Sequence, residues 1–82
     1  MKYNVQFKPR AVKEMTRLSS RMQLAILNDI EAMSDDLTGD VKRLTHVTPE
    51  YRLRVGDYRV LFEIENNNLI VYRVRHRREV YR

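Results

Sequence analysis

Tyr51-Arg52-Leu53-Arg54-Val55-Gly56-Asp57-Tyr58-Arg59-Val60-Leu61-Phe62-Glu63-Ile64 is the stretch whose reading decides the fold. Apolar and charged residues alternate on both sides of Gly56-Asp57, the period-2 signature of half-buried strands. Gly followed by Asp suits a two-residue type II′ turn, whose first central position needs positive φ. That turn sets Val55 opposite Tyr58, Arg54 opposite Arg59, Leu53 opposite Val60, Arg52 opposite Leu61 and Tyr51 opposite Phe62. Tyr51, Leu53, Val55, Tyr58, Val60, Phe62 and Ile64 then share the core face. Arg52, Arg54 and Arg59 share the other. Like charges facing each other across a ladder are destabilising by up to about 1 kcal/mol. Three guanidiniums on a stiff pleated surface make a preorganised anion site, because Arg matches phosphate geometry bidentately. The same hairpin alone also fits a solvated strand face that is merely basic.

Working outward, the 82 residues make one domain, 1–82, with a small core. With 43% hydrophobic and 33% charged residues the chain has the composition of a globular protein. The absence of cysteine excludes disulfides and thiolate chemistry, and two His argue against a protein-only metal centre. Met1-Lys2-Tyr3 leads straight into an alternating strand without a secretory leader, and no apolar run approaches the roughly 20 residues of a membrane span. The expected compartment is the cytoplasm, with no membrane partner. The net charge of +5 is unevenly placed. Residues 1–51 carry eight basic against seven acidic residues, residues 52–82 eight against four, and all eight of those basics are Arg. Arginines with interspersed Tyr on a sheet suit a phosphate-bearing partner.

Upstream of the hairpin, residues 2–8 alternate as a first strand, with Tyr3, Val5 and Phe7 on one face. Pro9 ends it or opens a helix. Val12, Met15 and Leu18 recur at helical spacing over 10–18. Ser19-Ser20 has N-cap character, and a second helix over 20–33 carries Met22, Ile26, Ile30 and Met33 on its apolar stripe, flanked by Ala25 and Leu27. Residues 34–40 read as acidic loop, 41–44 as a short extended or single-turn element and 45–50 as loop. Downstream, a three-residue Asn loop within Glu65–Leu69 leads to a last strand over 69–76. In that register Ile70, Tyr72 and Val74 face the core, while Arg73 and Arg75 join Arg59. A one-residue slip would exchange the faces. Residues 77–82 leave the sheet edge and place a Tyr where it can fold back.

The hairpin, followed by His76-Arg77-Arg78-Glu79-Val80-Tyr81, resembles the RelE branch of the RelE/ParE superfamily of bacterial toxins from toxin–antitoxin modules. The likeness spans nearly the whole chain, including the opening strand before Lys8-Pro9-Arg10-Ala11. It implies an α+β fold in which an N-terminal strand and a two-helix hairpin pack on a small antiparallel sheet of about four strands, similar to microbial ribonucleases. It implies a toxin of a type II module: an mRNA interferase, an endoribonuclease that cleaves mRNA in the ribosomal A site by 2′-OH attack, without metal or cofactor, inhibiting translation. The partner implied is a cognate antitoxin, through which the complex can reach operator DNA.

Carried onto this sequence, the family's working residues are the pair Arg52 and Arg54, then Arg59, Arg77 (with Arg75 the alternative) and Tyr81. Of these, Arg54, Arg59, Arg77 and Tyr81 are the expected catalytic set. Arg52, Arg73, Arg75 and Arg78 would contact RNA phosphates. Better-known members carry Lys where this chain has Arg52 and Arg54, and Arg stays protonated, so the proton acceptor is left open. His76 is one candidate, since His titrates near neutrality; the ribosome is another. His46, alone in a loop, reads as inert surface. Tyr81 stacks on a base, positions the 2′-OH, or packs on the sheet edge. The alternatives are a ParE-like gyrase poison and a non-catalytic RNA- or protein-binding module.

Overall fold

The alternation around Gly56 produces the expected hairpin. β3 (Tyr51–Val55) and β4 (Tyr58–Glu65) pair antiparallel with all five partners as read from the sequence, from Val55 opposite Tyr58 to Tyr51 opposite Phe62. Gly56 has φ 58°, the positive value that favours glycine at the first turn position. In this computed structural model the described residues are 2–37, 39–44 and 48–80. His46, Tyr81 and Arg82 lie outside them.

The other elements are β1 (Asn4–Phe7), α1 (Pro9–Thr16), α2 (Ser20–Asp36), β2 (Val41–Arg43), β5 (Asn68–His76) and a single turn, α3 (Arg77–Val80). The sheet has five strands in the order β1-β5-β4-β3-β2. Four run antiparallel as expected. β1 adds a fifth at the edge, parallel to β5, with Asn4 opposite Asn68 and Phe7 opposite Val71. α1 starts with Pro9 in its first turn. α2 starts at the Ser19 N-cap, whose hydroxyl accepts the Met22 N–H at 3.2 Å.

Two helix expectations are corrected. α1 buries Ala11 and Met15, whereas Val12 is exposed, so the apolar stripe is set one residue earlier. α2 continues through the acidic stretch to Asp36 and ends on Leu37 at φ 60°. The extra turn buries Ser34, whose hydroxyl donates to the Glu31 carbonyl at 2.7 Å, and lets the Ser34 carbonyl accept the Tyr3 N–H.

The last strand differs most. Its turn is two residues, Asn66-Asn67, with Glu65 opposite Asn68 and Asn66 at φ 57°. A bulge then intervenes: Phe62 pairs with Val71 and Leu61 with Arg73, leaving Tyr72 extra. Beyond it the expected register holds, with Val60 opposite Val74 and Arg59 opposite Arg75. The core side therefore carries Leu69, Val71 and Val74 rather than Ile70, Tyr72 and Val74. Tyr72 is half-buried with the Lys8 ammonium 5.4 Å from its ring centre.

Ala11 and Met15 of α1, Ile26, Ile30 and Met33 of α2, and Leu53, Val55, Val60, Phe62, Leu69, Val71 and Val74 of the sheet form one core. Each large member contributes about 1.5–3 kcal/mol on burial. The helix pair occupies one face of the sheet and leaves the arginine-bearing face on the other side.

Candidate nucleic-acid interface

The antiparallel register places Arg54, Arg59 and Arg75 side by side across β3, β4 and β5. Neighbouring strands lie about 4.8 Å apart, so the three arginines start from adjacent backbone positions on one face of the sheet. Arg54 is exposed. Arg59 is only 5% exposed. Its Nη1 donates to the Gly56 and Tyr58 carbonyls, both at 2.9 Å, while its Nε has no hydrogen-bond partner. Among the described residues no carboxylate forms an ion pair with Arg59, so its charge adds to the field of the face that it lines.

At the end of β5 the chain turns into α3. The Arg77 N–H donates to the Asp57 carbonyl at 2.7 Å, tying this turn to the β3–β4 turn. Arg54, Arg59, Arg77 and Arg78 thereby line a single open depression of about 380 Å³. Asp40 approaches Arg54 at 3.4 Å from the loop before β2, and both side chains are about half exposed. The depression thus keeps a large positive excess.

The remaining candidates lie elsewhere. Arg52 is 8% exposed on the same sheet face, outside that depression. Arg75 makes an ion pair with Glu79 four residues on, at 3.4 Å. Arg73 is a correction. Expected on the basic face, it sits next to the bulge and is clamped by Glu14 of α1: Nε lies 3.1 and 3.0 Å from the two carboxylate oxygens and Nη2 2.8 Å from one of them. The same carboxylate accepts the Val74 N–H at 2.9 Å, where β5 runs on past the end of β1. Burial pushes the Glu14 carboxyl upward, but the Arg73 hydrogen bond, the Val74 N–H and the charges of Arg73 and Arg75 outweigh it and hold it below the usual carboxylate range. The Glu14 hydrogen bond raises Arg73 in turn, against burial. Arg73 is therefore committed to joining α1 to the sheet. Glu14 was legible in the sequence merely as a carboxylate beside the apolar Met15.

His76 also departs from the proton-acceptor expectation. It faces the helix side, opposite Tyr58, in a separate cleft lined by Glu14, Arg17, Leu18, Tyr58, Val74 and Glu79. Its Nδ1 accepts the Arg78 N–H at 3.2 Å. The ring lies edge-on to Tyr58, with centroids 5.4 Å apart. Chemically, the arginine depression can grip and neutralise phosphate oxygens, but arginine cannot accept a proton at neutral pH.

A family model described as the ParE toxin of type II toxin–antitoxin systems, parDE, matches residues 5–81. The chain belongs to that family. Within the RelE/ParE superfamily its likeness is to the RelE branch. Toxin RelE3 of Methanocaldococcus jannaschii is 38% identical over 47 residues, which make up 57% of this chain and 53% of that protein, so the match spans about half the relative's length. The toxin–antitoxin complex of RelE and RelB from Methanococcus jannaschii superposes with a TM-score of 0.77 at 28% identity, over 93% of this chain and 94% of that one. The archaeal RelE–RelB complex from Pyrococcus horikoshii OT3 gives 0.79 at 22% identity over 94% and 97%. At that identity it speaks for the fold alone. A RelE-like fold is therefore the frame on which the four arginines are mounted.

Proposed function

We propose that this protein is the toxin of a type II toxin–antitoxin module and an endoribonuclease that cuts mRNA on the ribosome. The observation that carries the reading is the convergence of Arg54, Arg59, Arg77 and Arg78 on one depression. In the reaction, the ribose 2′-oxygen attacks the adjacent phosphorus in line. The new 2′-O–P bond forms as the P–O5′ bond breaks, giving a cyclic phosphate and a 5′-OH. The 2′-OH proton goes to a base and the leaving O5′ takes one up. Negative charge builds on the phosphoryl oxygens, where preorganised guanidiniums lower the barrier. Fixing two nucleotides in near-attack geometry is the second contribution.

The four described residues lining the depression are all arginine, so this grip supplies charge rather than a proton acceptor. That supports a ribosome-dependent scheme, with the A site providing the base and Tyr81, carried over from the family, stacking on the RNA. The charge arrangement requires no metal or cofactor. A cognate antitoxin would neutralise the toxin by covering the depression, and the cytoplasm is the compartment where it meets ribosomes. Among the described residues no helix is long and apolar enough to cross a membrane.

Primer extension on mRNA in a translating extract tests the reading: the wild-type protein should generate discrete cuts, and Arg54→Ala should suppress them. A parallel supercoiling assay addresses gyrase poisoning, which the family's ParE description favours. Undiminished cutting by both Arg54→Ala and Arg59→Ala would remove the arginine grip from the mechanism.

A further inference from the structure

In an extended strand Arg77 and Arg78 would point to opposite faces of the sheet. Both line the same depression because the chain stops being a strand at His76 and starts a helical turn at Arg77. Something must start that turn, since a single turn of helix is unfavourable by itself. Helix starts are stabilised by a side-chain acceptor on the preceding residue that takes the N–H of the second or third helical residue. Here that acceptor is an imidazole. His76 precedes the turn, and its Nδ1 takes the N–H of Arg78, the second residue of α3, at 3.2 Å.

We propose that His76 is a positioning residue: by capping α3 it swings Arg77 and Arg78 together over the depression that already holds Arg54 and Arg59. The inference rests on reading that depression as an RNA grip. It gives His76 a role at a distance from the reacting atoms, in place of proton transfer. The ring is aimed for the task. Tyr58 holds it edge-on from the neighbouring strand, at 84° between ring planes. The Arg77 N–H to Asp57 carbonyl bond and the Arg75–Glu79 ion pair fix the two ends of the same turn. The hydrogen bond uses the Nδ1 lone pair as its acceptor. Glu14 from α1, Arg17 at its C-cap, Tyr58 from β4 and Glu79 from α3 are the polar groups around it. Serine, threonine, asparagine and aspartate are the usual caps; asparagine can replace the acceptor without the imidazole.

The test is binding of an uncleavable 2′-O-methyl RNA oligonucleotide across a salt series, with amide hydrogen exchange on the same proteins. Each phosphate contact contributes about 0.7 to the salt slope for single strands. His76→Ala should therefore flatten the slope by up to about 1.4, for two contacts, and expose the Arg78 amide to exchange. His76→Asn should keep the wild-type slope and the protected amide. His76→Ala should add nothing to an Arg77→Ala/Arg78→Ala protein. The proposal is overturned if His76→Ala leaves the slope unchanged, if His76→Asn fails as fully as His76→Ala, or if the effects add. Should the wild-type protein not bind the oligonucleotide, the reading of the depression as a grip for free RNA fails instead, and cleavage on the ribosome is judged by the primer-extension test. The amide decides the cap by itself: protection of Arg78 that survives His76→Ala refutes it, and protection lost in His76→Ala but kept in His76→Asn upholds it.

Discussion

Arg73 and Arg59 sit on neighbouring strands, two positions apart in the ladder, and have opposite fates. Arg73 has three hydrogen-bond contacts to one carboxylate, with both side chains about four-fifths buried. Arg59 is more buried still, yet it meets backbone carbonyls alone and keeps an unmet Nε beside three other arginines. A charge satisfied within the chain holds the fold together. A charge with no carboxylate beside it adds to the field of the depression that it lines. Residue type does not separate the two; the neighbouring helix does, because α1 reaches the β5 edge with Glu14 and does not reach the far face of the sheet.

Breaking each side of this contrast should give different losses. The largest belongs to Arg59→Ala, expected to lower mRNA cleavage by about 10²–10³, the typical cost of one preorganised donor to a developing oxyanion. Single-turnover primer extension reads it, with a melting curve to confirm folding. Glu14→Ala should instead cost about 2 kcal/mol of stability, since hydrogen bonds to charged groups are worth about 1.5–3 kcal/mol. Because the folded Glu14 carboxyl titrates lower than in the unfolded chain, its contribution is present above the ordinary carboxylate value and is lost as pH falls through the folded one. Urea unfolding from neutral into acid pH should show Glu14→Gln losing most against wild type near neutrality and least in acid. A gap that widens toward acid would contradict the ion-pair account.

Gly56→Ala should cost about 1–2 kcal/mol, the penalty of positive φ for a residue with a Cβ, although nothing lies within 4 Å of the added carbon. Its melting temperature should fall while the salt slope of RNA binding persists. Smallest of all, Asp40→Asn removes an exposed ion pair worth about 0–1 kcal/mol. Stability should barely change and RNA affinity should rise, because Arg54 is then fully available; weaker binding would show that Asp40 organises the grip instead of competing for it.

The hairpin was fully legible because the Gly56-Asp57 turn fixes its register and the alternation of Tyr51–Tyr58 agrees with it, so that Val60-Leu61-Phe62 had no second register open to it. Leu69-Ile70-Val71 was not, because three apolar residues in succession satisfy either register. Ile70 is itself buried on the face away from the core cluster, so alternation carried no signal there and the bulge at Tyr72 left no mark in the sequence. The parallel placement of β1 depends on a crossover through two helices, which strand periodicity cannot report. Arg54, Arg59, Arg77 and Arg78 were all candidates from sequence, but their meeting depends on the turn at His76, whose capping role has no compositional signature. Arg73 could not be told from Arg75, since its partner lies 59 residues earlier.

The pairing of β1 with β5 has a temporal side. Asn4 waits for Asn68, and the arginine depression waits for Arg78. A nascent chain emerges from its amino end at about 5–20 residues per second, so the sheet edge can close only once residues 68–71 have followed, and the grip, completed by Arg77 and Arg78, is the last part of the described fold to assemble.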